Sequence, residues 1–384
     1  MKNDVELKPM HADTEAQAGE IPNPQAPEKR LGYALVGLGK LTLEELVPAF
    51  GSCKYSKLVA LVSGDEEKAR TIANQYGLSE KSVYNYDNFD SIADNPEIDV
   101  VYIVLPNSMH AEFTIRAARA GKHVLCEKPM ATSAAEAQQM IDACREANRK
   151  LMIAYRIQYE PLNRLAMGWV RNKEFGEVKL IDSVNTQNLG DPNQWRLKKA
   201  LGGGGAMPDI GIYCLNTIRF LLGEEPDAVM ASVFSHPDDF RFREVEEEVL
   251  FQLHFPSGVR ANCSTSYAVH QSRNYRCYAE EGWFGLDPAF AYERLEMKGS
   301  HAREGVETAV QPDVGETDQF AAEMDHLSLC VLNDKQPYTP GEEGLQDHRI
   351  IEAIYESART GRLVKLDRIE SLDTFRGTSP EEFE

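Results

Sequence analysis

The feature that most constrains this chain is a series of five short apolar runs, each breaking off at a glycine-rich or polar cluster. "LGYALVG", "LVALVSG", "DVVYIVLPN", "HVLCE" and "KLMIAYR" succeed one another between residues 31 and 156. Runs without a polar face suit strands buried on both sides, as in a parallel sheet covered by helices. Helical spacing fills the intervals. Ser133 and Glu136 form a capping-box pattern ahead of Ala137, Met140, Ile141 and Cys144, and residues 111–120 make a helical stretch closed by Gly121. The alternation predicts βαβ units and a doubly wound α/β sheet, whose strands end on one ligand-binding crevice. The residues at those ends are Gly37–Gly39, Ser63, Pro106–Asn107, Glu127–Lys128–Pro129 and Tyr155–Arg156.

Past about residue 154 the pattern changes. Five longer segments, from "EVKLIDSVNT" to "NYRCYAEEGWFGL", alternate polar and apolar residues, and "HFPSGV" signals a hairpin turn between two of them. They predict an open, mainly antiparallel sheet flanked by helices, two of them near residues 320–332 and 346–360. The expected division is an extended, proline-containing arm over residues 1–30 (Pro22, Pro24, Pro27), a nucleotide-binding Rossmann domain over 31–153, and a second α/β domain over 154–384 that ends in an acidic tail from 366.

A chain of 384 residues with 42% hydrophobic and 27% charged side chains suits two soluble domains. Its 61 acidic against 41 basic residues give a formal charge of −20, which repels phosphate backbones and anionic lipid. Nucleic acid and membranes are therefore not expected as partners, and any anionic cofactor must be held by local donors. The cysteines (Cys53, Cys126, Cys144, Cys214, Cys263, Cys277, Cys330) lack metal or redox spacing, so no metal is expected and reduced buried thiols are. No apolar run approaches the roughly 20 residues of a membrane span. The N-terminus shows no export signal, so the expected location is cytoplasmic, or periplasmic for a processed form.

"VGLGKLT" supplies the first two glycines of the dinucleotide fingerprint, Gly37 and Gly39, with Thr42 in the third position and Pro48 shortening the helix that follows. At the end of the second strand, Ser63 stands where NAD enzymes commonly place a carboxylate, with Lys68 and Arg70 close behind. A hydroxyl and a cation favour the 2′-phosphate of NADP, while Asp65, Glu66 and Glu67 argue for a solvated helix start.

"GGGGAMPDIGIYCLN" begins with a backbone that can approach a ligand closely and continues as a helix with Pro208 in its first turn. Asp209 and Tyr213 then fall at i and i+4, on one helix face. Hydride transfer from a sugar hydroxyl needs a base, a cation that stabilises the base's anion, and groups that orient the hydroxyls. A phenol beside an ammonium meets the first two needs. Tyr213 and Lys128 are the candidates, with Asp209 to orient the sugar.

"GLGK", "LPNSMHAEF", "AGKHVLCEKPMA" and "GGGGAMPDIGIYCLN", in this order, resemble the Gfo/Idh/MocA oxidoreductases, nearest their glucose–fructose and aldose–aldose oxidoreductase branch. The likeness runs from about residue 31 to 362. It implies a tightly held NADP that is reduced and reoxidised in place, an aldose oxidised at C1 to a lactone, and a second sugar reduced to an alditol. It also implies a homo-oligomer formed through the C-terminal sheet. By motif, Lys128 and Tyr213 take the catalytic roles, with Asp209 beside them. Cofactor contacts are implied for Gly37, Leu38, Gly39, Lys40, Leu41, Ser63, Lys68, Tyr86, Leu105, Asn107, His110, Glu127, Lys128, Arg156, Trp195, Arg196 and Tyr292. Thr42 and the proline directly before Asp209 depart from the pattern. Two other readings share these motifs: a cofactor-exchanging aldose dehydrogenase, such as a xylose dehydrogenase, and a non-catalytic sugar or nucleotide sensor.

Overall fold

A computed structural model describes residues 26–303, 305–315 and 317–383. Pro22, Pro24 and nearly all of the expected arm lie outside the described residues; Pro27 opens a short 3-10 turn, Pro27–Lys29.

The five apolar runs form strands β1 (Leu31–Val36), β2 (Ser56–Val62), β4 (Val100–Ile103), β5 (His123–Glu127) and β6 (Leu151–Ala154), and a short β3 (Val83–Tyr84) joins them. The order is β3-β2-β1-β4-β5-β6, with every pairing parallel. The order reverses beside β1, and this opens a crevice at the strand ends. The crossovers carry α1 (Val47–Ala49), α2 (Glu66–Gln75), α3 (His110–Arg119) and α4 (Ala134–Glu146). Thr42 fits without loosening the first turn. Its hydroxyl donates to the Gly37 carbonyl at 2.7 Å and the chain widens into a π turn, Thr42–Leu46, before the brief α1. The capping box forms only in part. The Ser133 hydroxyl accepts from Glu136 N, but the Glu136 carboxylate turns back to Thr132 instead of to the Ser133 amide.

After α5 (Pro161–Arg171) comes the long strand β7 (Val178–Asn188), then α6 (Lys199–Gly202), a π turn at Met207–Gly211 and α7 (Ile212–Leu222). Strands β8 (Ala228–Phe234), β9 (Glu248–His254), β10 (Arg260–Ser266), β11 (Ala268–Ala279), β12 (Gly282–Leu286), β13 (Met297–Arg303), β14 (Val306–Val310) and β15 (Val364–Lys365) complete a second sheet. Its order is β14-β13-β12-β11-β7-β10-β9-β8-β15, and only β7–β10 pair in parallel. The hairpin signal is the β9–β10 turn, where Gly258 adopts φ +96°.

Two late helices, α8 (Gln319–Leu332) and α9 (Gly341–Thr360), tie the sheets together. The Asp325 carboxylate on α8 takes the amides of Lys54 and Tyr55 and the Ser56 hydroxyl, so a helix from the second half of the chain covers the first sheet. The segment expected as an acidic tail is anchored. Arg376 is buried against Glu343, and Asp373 and Glu381 pair with Arg171 and Arg164. All seven cysteines are buried and unpaired.

Candidate active site

A cavity of about 740 Å³ lies between the carboxyl ends of the first sheet and the inner face of the second. Lys128, Tyr213, Asp209 and every residue for which the resemblance implied a cofactor contact line it, whereas Arg70 does not.

At the nucleotide end, Gly37 has φ +95°, and a Cβ there would stand 2.3 Å from the Val104 carbonyl, so only glycine fits. A Cβ on Gly39 would meet nothing within 4 Å, which leaves the backbone there open to a ligand. The Lys68 ammonium reaches back 2.6 Å to the Leu38 carbonyl. The Ser63 hydroxyl accepts from Asp65 N, and Asp65 caps α2 through Lys68 N, so its carboxylate is occupied as a helix cap. Arg70 turns outward to Glu66 and does not line the cavity. His110 is a strut: its ring nitrogens lie 2.9 Å from the Pro129 carbonyl and 2.8 Å from that of Leu105. Asn107 donates to the Gly202 carbonyl and links the two halves of the wall. This set suits a dinucleotide: an open glycine backbone, a hydroxyl with a cation at the second strand end, and a volume in the upper range for ligand pockets.

At the chemical end, Lys128 projects from the turn after β5 and Tyr213 from the first turn of α7. The Lys128 ammonium stands 4.6 Å from the centre of the Tyr213 ring. It donates to the Asp209 carbonyl at 2.7 Å and faces Asp209 Oδ1 at 3.4 Å. Burial works against the ammonium, but Tyr213, Asp209, Glu127 and Tyr292 outweigh it and raise the Lys128 pKa. Burial likewise works against the Asp209 carboxylate, yet Arg196, Lys128 and the Tyr267 hydroxyl hold its pKa down at about 2. Both groups are therefore charged around neutrality. The cation that reaches the Tyr213 hydroxyl is Arg156, through a long 3.4 Å contact. Arg156 is fixed by Gln319 Oε1 and by the carbonyls of Phe290 and Ala291, and its guanidinium lies 4.5 Å from the centre of the Tyr292 ring.

Glu127 points beneath the site. The Tyr102 hydroxyl lies 2.8 Å from Glu127 Oε1 and 3.1 Å from Glu323 Oε1. One hydroxyl donates only once, so the second carboxyl brings its own proton. Burial raises the pKa of both carboxyls, and Glu323, fully enclosed, is the one we assign as protonated.

The sequence reading missed the wall opposite the nucleotide. Asn185 and Gln187 on β7 and Arg273 on β11 line it. Asn185 also donates to the Ile210 carbonyl. A signal was present: Ile181, Ser183, Asn185 and Gln187 share one face of β7, and that inner face turns polar toward the cleft.

Residues 31–155 match the GFO/IDH/MocA family, described as an oxidoreductase family with an NAD-binding Rossmann fold, and residues 164–285 match its C-terminal domain. Among solved structures, the aldose–aldose oxidoreductase of Caulobacter crescentus, complexed with glycerol, is 47% identical with a TM-score of 0.85, covering 88% of this chain and 100% of that one. The NADP-dependent D-xylose 1-dehydrogenase of Haloarcula marismortui is 36% identical over 89% of this chain and 95% of its own. A second NADP-dependent D-xylose 1-dehydrogenase, from Haloferax volcanii, is 30% identical over 87% of this chain and 99% of its own. Among the described residues no helix is long and apolar enough to cross a membrane.

Proposed function

The chain belongs to the GFO/IDH/MocA oxidoreductase family, and from that premise we propose that it is an NADP-dependent sugar oxidoreductase that oxidises an aldose at C1 to the lactone. The observation that carries this reading is the meeting of Lys128, Tyr213 and Asp209 in the cavity that also holds the glycine loop. NADP, when bound, supplies the hydride acceptor. The chain's own groups do the rest. Tyr213 takes the proton of the anomeric hydroxyl, with Lys128 over its ring and Arg156 at its oxygen as the cations beside it. Asp209 holds Lys128 in place and offers Oδ1 to a sugar hydroxyl. Asn185, Gln187 and Arg273 give the far wall the donors and acceptors that a polyhydroxylated substrate requires.

The preference for NADP over NAD rests on Ser63 and Lys68, with Asp65 spent on capping α2. Likeness to the aldose–aldose oxidoreductase supports the finer reading. In it the cofactor stays bound while a second sugar is reduced to an alditol. Likeness to the xylose dehydrogenases favours a second reading, in which NADP exchanges after each oxidation. The outer face of the second sheet, where Leu250 is exposed and Arg276 lies over Trp283, is proposed as the surface that pairs copies of the chain. A cytoplasmic location is the expectation carried with this reading.

The deciding measurement is the absorbance of gel-filtered protein. Retained NADP, with a reduced-nicotinamide band that appears with one aldose and fades with a second sugar, supports the bound-cofactor cycle. Protein free of nucleotide that reduces added NADP with xylose favours the exchanging dehydrogenase. Absence of aldose-dependent reduction under both conditions overturns the proposal.

A further inference from the structure

We infer that Tyr267 is a positioning residue for sugar oxidation, acting through Asp209 without touching substrate or cofactor; the inference rests on the aldose oxidoreductase reading above. Tyr267 lies between β10 and β11 and is fully buried. It does not line the cavity. Its ring belongs to a small apolar cluster with Leu189, Leu197, Ile210 and Phe242, separate from the main core. Its backbone is held on both sides, N–H to the Glu247 carbonyl and carbonyl to the Leu189 amide. The ring is therefore fixed, and its hydroxyl donates to Asp209 Oδ2 at 2.7 Å.

That bond settles which way the Asp209 carboxylate faces. Oδ2 also takes Arg196 Nε at 3.0 Å, while Oδ1 is left toward Lys128 at 3.4 Å. Arg196 sits on a partly exposed segment, and Lys128 reaches its place on a long flexible stem. Neither cation can define the carboxylate plane as a short bond from a packed ring does. A neutral O–H donor also orders the anion without adding charge that would compete with Lys128 for it. With the plane fixed, one carboxylate oxygen presents to the reacting cleft and the other closes the segment that carries Trp195 and Arg196. The same apolar cluster includes Leu197, next to Arg196, so one packed unit supports both partners of Asp209 Oδ2.

The test is Tyr267→Phe, which keeps the ring and removes the donor. We expect kcat for the preferred aldose to fall roughly 10- to 100-fold, the range set by losing one hydrogen bond to a charged group. NADP affinity, measured by fluorescence titration, should stay within about twofold of wild type. The same change is then made in an Asp209→Asn background and followed by single-turnover reduction of NADP. If Tyr267 acts through Asp209, the second substitution costs little more there. A Tyr267→Phe enzyme with wild-type kcat overturns the inference. So does a loss of equal size in the Asp209→Asn background, which would mark a purely structural role. Wild-type protein that binds NADP but oxidises no aldose overturns the underlying reading, and this inference with it.

Discussion

The Lys128 ammonium lies over the Tyr213 ring, 4.6 Å from its centre, although one residue belongs to the first sheet's strand ends and the other to a helix of the second half. Two segments distant in the chain thus bring an ammonium and a phenol to one cleft. Replacing Tyr213 with Phe removes the proposed proton acceptor and little else. We expect kcat for aldose oxidation to drop at least about 100-fold, at the lower end of general-base contributions, with NADP still bound. Lys128→Met should cause a loss of similar order. Steady-state kinetics beside a nucleotide-binding titration checks both; near-normal turnover in the Phe variant would remove Tyr213 from the chemistry.

The two glycines of the first loop should respond differently to alanine. Gly37 combines φ +95° with a carbonyl 2.3 Å from any added Cβ, so Gly37→Ala should destabilise the fold, by about 1 kcal/mol or more from the backbone conformation alone. Gly39 has open space around it, so Gly39→Ala should fold normally and weaken NADP binding by narrowing the approach to the loop. Urea midpoints and nucleotide titrations of both variants separate the effects. Equal midpoints for the two would contradict the geometry.

Two buried histidines make stability depend on pH. Burial, with His110 adding to it, lowers the pKa of His348 to about 4; burial and Arg164, against Glu381, lower that of His326 to about 3. Each ring accepts a hydrogen bond at Nε2, His348 from Ala131 N at 3.0 Å and His326 from Tyr338 N at 2.9 Å, so each must be neutral in the native state. The unfolded chain protonates these rings near pH 6.5 and the native state only well below it, so between those limits the unfolded state binds more protons. The contribution is complete above about pH 6.5 and is lost as pH falls toward 4 and then 3. Urea midpoints measured from pH 7 to pH 4 should decline steadily. A flat profile would show that the two rings do not titrate as described. Ala131 lies two residues after Pro129, so acid should loosen the turn that carries Lys128 before it unfolds the chain.

The sequence made the Rossmann half legible because strands buried on both faces have no polar positions, and each run broke at a cluster that now lines the cleft. Lys128, Asp209 and Tyr213 could be named together because "EKP" and "DIGIY" jointly resemble one family's motifs; singly, a helical tyrosine reads as core and an aspartate at a helix start as a cap. The second half was harder to read. β14 is exposed along nearly its whole length, β13 alternates but its buried positions are Met297, Gly299 and His301 rather than a run of large apolar residues, and the start of α9 at Gly341 precedes the expected position because Glu342 and Glu343 open it without a side-chain cap. Arg273 and Gln187 were missed because a strand position shows which face it takes, not which face meets the cleft. Tyr267 was missed because a tyrosine after "STS" reads as core, and its partner lies 58 residues away.

The last prediction concerns Arg219, which follows Tyr213 on α7 and is fully buried. Its guanidinium pairs with Glu225, Glu343 and Asp347, joining α7 to α9, and Arg376 from the anchored tail adds a second cation on Glu343. Burial works against the charge, but the three carboxylates outweigh it and hold Arg219 well above its ordinary value. Arg219→Met keeps most of the volume and strands several carboxylates in a low-dielectric interior. Removing one partner of such a buried set costs about 3–5 kcal/mol. The exposed pair Arg70–Glu66 is the comparison: both side chains are 56% exposed, and its loss should cost no more than about 0.5 kcal/mol. Urea unfolding of Arg219→Met beside Arg70→Met measures the difference. Comparable small losses in the two would mean that water enters the cluster when the cation leaves, and that packing alone holds α7, and Tyr213 with it, against α9.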